Sequence, residues 1–233
     1  MDPVVIWAGW PETAEQLVAV QRALAGRRPP PWQPPGRRLA VGGCFVCFPR
    51  RSAGAVARGD PAWAAAVVMQ EDEVVARSAV TGAAGAPYEV GLLALREGAL
   101  LQAALAQLAM TPDVVVVNAT GRDHPRGAGL AVHLGAMLDL PTVGVTDRAL
   151  AAVGSWPADE SNQVSALTVE DEVLAHWLRT RAGTRPVVVH AGWRVDAATA
   201  VEVIRRCAGE HRTPAPLREA RQLARLARSN SDT

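Results

Sequence analysis

The run Asp113-Val114-Val115-Val116-Val117-Asn118 decides the fold. Four β-branched residues between polar boundaries make a strand buried on both faces, of the kind found where helices cover both sides of a sheet. Upstream, residues 92–110 repeat leucine and alanine at helical spacing, and Pro112 with Asp113 closes that helix. Three earlier apolar segments, 39–48, 62–69 and 73–80, are separated by short polar turns and predict an antiparallel meander. Downstream, 129–138 predicts a helix and 141–145 a short strand. Two more strands follow at 173–180 and 186–190, then helices over 197–207 and 217–228. This order is that of an α/β protein with a mixed β-sheet flanked by helices, and functional loops are expected where the central strand ends.

Residues 12–25 predict an amphipathic helix, and the segment 26–38, with Arg27, Arg28, Arg37, Arg38 and intervening prolines, predicts an extended basic connector. A chain of 233 residues, 49% hydrophobic and 20% charged, supports one domain: helix and connector over 1–38, core and C-terminal helices over 39–228, a tail over 229–233. All 24 basic side chains are arginine, which excludes lysine Schiff bases and P-loop lysines. A net charge of +1 gives no uniformly basic face for non-specific phosphate binding. Three cysteines, an odd number, argue against a disulfide framework, and no apolar run approaches a membrane span, so a cytoplasmic protein without membrane association is expected.

The stretch Asn118-Ala119-Thr120-Gly121-Arg122-Asp123-His124-Pro125-Arg126, followed by Gly129-Leu130-Ala131, His133-Leu134-Gly135 and Leu140-Pro141-Thr142-Val143-Gly144-Val145, resembles the endonuclease V family. Upstream, Pro87-Tyr88 with Gly91-Leu92-Leu93-Ala94-Leu95-Arg96-Glu97 is similar to the family's wedge and acidic-helix motif, and Gly192, Arg212, Pro214 and Pro216 fit its C-terminal part. The resemblance implies an RNase H-like fold. It also implies an enzyme of DNA repair that uses Mg2+ or Mn2+ to find deaminated bases, above all inosine in DNA or RNA, and cuts one linkage to the 3′ side. On matching positions it assigns Glu97, Asn118 and His124 to catalysis, and Tyr88, Gly91, Leu93, Gly121, Arg126 and His133 to nucleic-acid binding.

In such a nuclease, carboxylates hold divalent cations that activate a water and stabilise the leaving oxygen. Here the first-strand carboxylate position falls on Phe45, the central-strand one on Asn118 and the family's lysine on Asp147; only Glu97 keeps the expected type. Phe45 deletes both charge and oxygen, and Asn118 offers only an amide carbonyl, a poor exchange for the hydration of Mg2+. Cleavage is therefore expected to be weak or lost, leaving a nucleic-acid- or protein-binding role. Two alternatives stand beside it: an active nuclease in which Glu97, Asn118, Asp123 and His124 hold one cation, and a fold reused for unrelated chemistry at Cys47 assisted by His124.

Several residues carry two readings. Asp123 and Asp147 are candidate replacement carboxylates, though Asp123 reads first as a solvated loop residue paired with Arg122 or Arg126. His133 reads as a phosphate-orienting group or as a half-buried packing residue. Cys44 and Cys47, three apart on a strand, face opposite sides and read as core fillers. Trp193 reads as a base-stacking residue or as a pocket filler. Glu89 inside the wedge opposes phosphate. The arginines at 27, 28, 37, 38, 50 and 51 read as phosphate contacts or as a solubility feature, and Arg218, Arg221, Arg225 and Arg228 as a solvated helix face.

Overall fold

β4 (Val114–Val117) is buried along its whole length, as its four valines dictate. Val115 and Val117 pack with Leu101, Leu105 and Leu134 on one side, and Val114 and Val116 with Ile204 and Leu217 on the other. A computed structural model describes residues 9–50 and 56–231 of the chain. Its sheet has eight strands in the order β3-β2-β1-β4-β5-β8-β7-β6. The meander is β1 (Ala40–Cys47), β2 (Pro61–Gln70) and β3 (Glu73–Ala83), paired antiparallel. β4 runs parallel to β1 and to β5 (Thr142–Thr146), and the remaining pairs, β5 with β8 (Val187–Ala191), β8 with β7 (Glu172–Arg179) and β7 with β6 (Gln163–Val169), are antiparallel.

One face carries α1 (Ala14–Ala25), α2 (Leu93–Ala106) and α3 (Leu130–Leu138); the other carries α4 (Ala197–Ala208) and α5 (Ala215–Ser231). Thr13 caps α1, its Oγ1 accepting from the Gln16 amide. The Pro-rich segment after α1 runs extended and is pinned: Arg37 forks onto the Asp113 carboxylate at 2.6 and 3.0 Å, and the Trp32 amide donates to the Arg194 carbonyl. Arg38 pairs with Glu71, so two of the six arginines of that cluster form ion pairs among the described residues; Arg51 lies outside them.

Three expectations need correction. β6 has no counterpart in the sequence reading, because as an edge strand it buries only Leu167 and its Gln163, Ser165 and Thr168 blur the alternation. α2 ends at Ala106, short of Met110. The arginine stripe of α5 is a solvated face only at Arg225: Arg228 is buried and donates to the Phe48 carbonyl, and Arg218 and Arg221 are half-buried along the sheet.

Candidate functional site

A cleft of about 560 Å3 opens where β4 and β5 end. Its walls are the loop Tyr88–Gly91, the start of α2 with Leu93 and Glu97, the turn Asn118–Thr120, His124, the segment from Thr146 to Leu150, and Gln21 of α1. The cleft therefore gathers Tyr88, Gly91, Leu93 and Glu97 from one stretch of the chain with Asn118 and His124 from another. Of the other predicted residues, Gly121 and Arg126 stand behind it, and His133 and Asp123 are buried elsewhere.

The Tyr88–Gly91 loop is held from beneath through one carbonyl. The Gly91 oxygen accepts from Gln21 Nε2 at 2.9 Å and from Arg126 Nη2 at 2.8 Å, with His124 Nε2 3.2 Å away. Arg126 Nε also donates to Gln21 Oε1, and His124 Nδ1 accepts from the Arg126 amide, which places the imidazole proton on Nε2. Burial, with the Arg126 cation beside it, pushes the His124 pKa down to about 4, so the ring is neutral and both nitrogens serve the loop. Above this clamp Tyr88 and Val90 project into solvent, 61% and 63% exposed, with the exposed Glu89 between them. The sequence reading singled out Tyr88 but missed Val90, whose signal was only its position in the loop.

Gly121 allows a close approach. A Cβ there would lie 1.9 Å from the Ala191 carbonyl, so the turn leaving β4 can lie directly on β8.

Glu97 sits one turn into α2, largely buried, with the Arg96 guanidinium 3.9 Å away. Desolvation outweighs that cation and raises its pKa to about 7, so Glu97 can hold or release a proton near neutrality. Arg96 lies 4.1 Å from the Phe48 ring centre and 5.8 Å from that of Tyr88, tying the wedge to the end of the first strand. Asn118 is exposed where β4 ends.

Phe45 does not stand in this cleft. Its ring packs on the α5 face with Leu223 and Ala224, and the Arg221 guanidinium lies 4.9 Å from its centre. The β1 residue whose thiol feels the Glu97 charge is Cys44, on the opposite side of the strand; burial is the larger cause that drives that thiol pKa upward. The expectation that the first-strand carboxylate position falls on Phe45 is thus corrected: Cys44 is the β1 residue on the Glu97 side, and the space beside Glu97 lacks ligands.

Asp123 is neither solvated nor paired with Arg122 or Arg126. It is fully buried, its Oδ1 accepting from the Ala151 and Ala152 amides and its Oδ2 from that of Leu150, with His190 Nδ1 3.4 Å away. His190 Nε2 lies 2.7 Å from Thr146 Oγ1, whose hydroxyl also reaches the Arg148 carbonyl. Asp123 therefore fastens the 146–152 segment, and it has no oxygen turned to the cleft. Asp147 does line the cleft, but pairs with Arg212 at 2.7 Å. Among the described residues no group of three or more His, Cys, Asp and Glu side chains comes together as a metal site. One carboxylate and one amide do not fit Mg2+ or Mn2+, which exchange water for several hard oxygens.

His133 is buried beneath Trp10, ring centres 4.4 Å apart, and cannot touch a nucleic acid as the resemblance implies. Trp193 is buried as the pocket filler expected. Cys47 faces α5, its thiol donating to the Ala224 carbonyl, away from His124, so the geometry for a Cys47–His124 reaction is absent.

Residues 39–222 match the family model for endonuclease V. The chain belongs to the endonuclease V family. An endonuclease V of Gloeobacter violaceus is 37% identical over 97% of this chain and 91% of its own length. The crystal structure of the Streptomyces avermitilis endonuclease V superposes with a TM-score of 0.84 at 34% identity, covering 97% of each chain. That of Ciona intestinalis, bound to a 24mer DNA containing an inosine followed by a ribo-adenosine, gives 0.76 at 21% identity, over 94% of this chain and 99% of the other. The fold is accordingly the RNase H-like α/β fold of endonuclease V. No described helix is long and apolar enough to cross a membrane.

Proposed function

We propose that this endonuclease V-family chain acts in the cytoplasm as a binder of deaminated, inosine-bearing DNA or RNA, with metal-dependent cleavage weak or lost. The observation that carries this is an exposed, clamped loop beside a cleft that is poor in carboxylates. An exposed Tyr88–Val90 wedge is clamped through Gly91, beside a cleft whose floor offers Glu97 and Asn118 in place of a carboxylate set. An apolar wedge parts stacked bases, and a neighbouring cleft receives the base so released. The Ciona relative holds inosine-containing DNA, and the shared fold gives this chain the same framework for that ligand. Leu93 and Thr120 would flank the base, and Glu97, near its titration midpoint, would supply a proton donor or acceptor to it.

Fluorescence anisotropy and nicking are measured with labelled single-stranded DNA and RNA, with and without one inosine, in Mg2+ or Mn2+. The expected result is preferential binding of the inosine strand, reduced by Tyr88→Ala, with faint or no nicking. The Cys44→Asp/Asn118→Asp variant runs alongside, since Cys44 is the β1 residue on the Glu97 side, and nicking by it alone would mark a scaffold that lost only its ligands. Robust nicking by the unaltered chain, abolished by Glu97→Ala, would overturn the loss of cleavage; equal binding of both strands would overturn the recognition.

A further inference from the structure

A second, smaller cavity of about 110 Å3 adjoins the cleft and shares Asn118, Thr146 and Asp147 with it. Its far wall carries Arg212 and Arg221. We propose that Arg221 and Arg212, with Asn118, form an anion pocket that binds a backbone phosphate of the nucleic acid directly, in place of a divalent cation. The inference rests on the reading that the neighbouring cleft receives a nucleotide.

Three observations converge on it. First, Phe45 serves as a platform for a guanidinium: Arg221 lies 4.9 Å from its ring centre, so the apolar residue on β1 positions a positive charge. Second, Arg221 Nε is buried and has no hydrogen-bond partner among the described residues, and it belongs to a side chain that lines the cavity. No hydrogen bond among the described residues engages the rest of this guanidinium, so its Nη groups are the donors left for a phosphate oxygen that enters the cavity. Third, Asp147 pairs with Arg212 and its charge also reaches Arg221, so one carboxylate steadies two guanidinium groups and leaves the trio cationic. Arg212 is further fixed by donating to the Arg185 and Pro186 carbonyls.

The physics of the substitution is simple. A phosphodiester needs positive charge and hydrogen-bond donors, and planar guanidinium groups supply both in a fork that matches its oxygens. With neutral Asn118 and Phe45 and two arginines, the local field favours an anion over a cation. Because three residues line both cavities, a base in the cleft places its own backbone beside the arginines.

The test is binding of the inosine-containing single strand in EDTA across a salt series, for the whole protein and for Arg221→Gln and Arg221→Lys, with thermal melting as the check on folding. Binding in EDTA should equal that in Mg2+. Arg221→Gln should weaken it roughly tenfold and lower the salt slope by about one; Arg221→Lys should recover part of the loss. A single uncharged methylphosphonate linkage 3′ to the inosine should weaken the unaltered protein but cost Arg221→Gln nothing more, whereas an effect confined to a 5′-terminal phosphate would assign the pocket to strand ends. Binding that requires Mg2+, or that is unchanged in Arg221→Gln, overturns the inference. If no oligonucleotide binds, the nucleic-acid reading fails, and inorganic phosphate then judges the pocket alone: it should raise the melting temperature of the unaltered protein and not of Arg221→Gln, and no rise overturns the pocket too.

Discussion

Arg126 Nη2 donates to the Gly91 carbonyl at 2.8 Å, while Gly91 itself sits at φ +80°. The two facts are one device. Only the left-handed backbone turns the carbonyl down onto Arg126, Gln21 and His124, and only a residue without a Cβ leaves room, since a Cβ would lie 2.9 Å from the same Nη2.

Gly91→Ala should therefore cost about 1–2 kcal/mol, from the positive φ and the displaced guanidinium together. Urea denaturation reads the loss. The same variant should weaken inosine-strand binding although Tyr88 is untouched, because the wedge loses its fixed base. A variant as stable as the unaltered chain would show that the loop is free to repack.

Glu97 gives stability a pH dependence of definite sign. Its folded pKa of about 7 lies above the ordinary carboxyl value of 4.5, so the folded state binds more protons than the unfolded one between those values. Its contribution is most favourable below pH 4.5, falls as pH rises through 7, and is constant above. Glu97→Gln should thus be more stable than the unaltered chain at pH 8, by up to about 3 kcal/mol, and the two should converge at pH 4.5. Parallel curves from pH 4.5 to 8 would contradict the buried placement.

Much of this was legible in the sequence, because the strongest signals were local. The four valines of β4 and the alternating meander report burial directly, and the stretches Tyr88–Glu97 and Asn118–His124 both reach the cleft. The failures share a different cause. Asp123, beside His124 and between arginines, reads as a loop charge, yet amides of Leu150, Ala151 and Ala152 bury it, and no pattern near Asp123 reports a partner 27 to 29 residues away. Phe45 and Arg221 meet across the sheet and α5, so the arginine repeat showed periodicity but not which face it presents.

Buried histidines should make the fold acid-sensitive. His133 stacks on Trp10, and desolvation pushes its pKa down to about 4; that of His190 is likewise lowered by burial. For a depressed histidine the unfolded state binds the extra proton, so its contribution is intact above about pH 6.5 and is lost as pH falls toward 4. His133→Phe keeps the ring stack and removes the titration. It should narrow the loss of stability between pH 7 and pH 5, measured by urea midpoints at each pH, and an unchanged slope would place the proton uptake elsewhere.

Asp123→Asn separates a structural carboxylate from a metal ligand. The native oxygens accept three backbone amides, two on Oδ1 and one on Oδ2, so an asparagine must turn an NH2 donor toward an amide donor. Loss of that charge-assisted bond and the facing donors should cost about 2–4 kcal/mol. Hydrogen exchange should quicken at Leu150, Ala151 and Ala152 above all, and His190, losing the anion that favours its charged form, should titrate lower still. A metal ligand would behave oppositely, leaving stability in EDTA unchanged while altering any Mg2+ or Mn2+ response. A stable, normally protected Asp123→Asn protein with a changed metal response would return Asp123 to the cation site that its buried geometry here denies it.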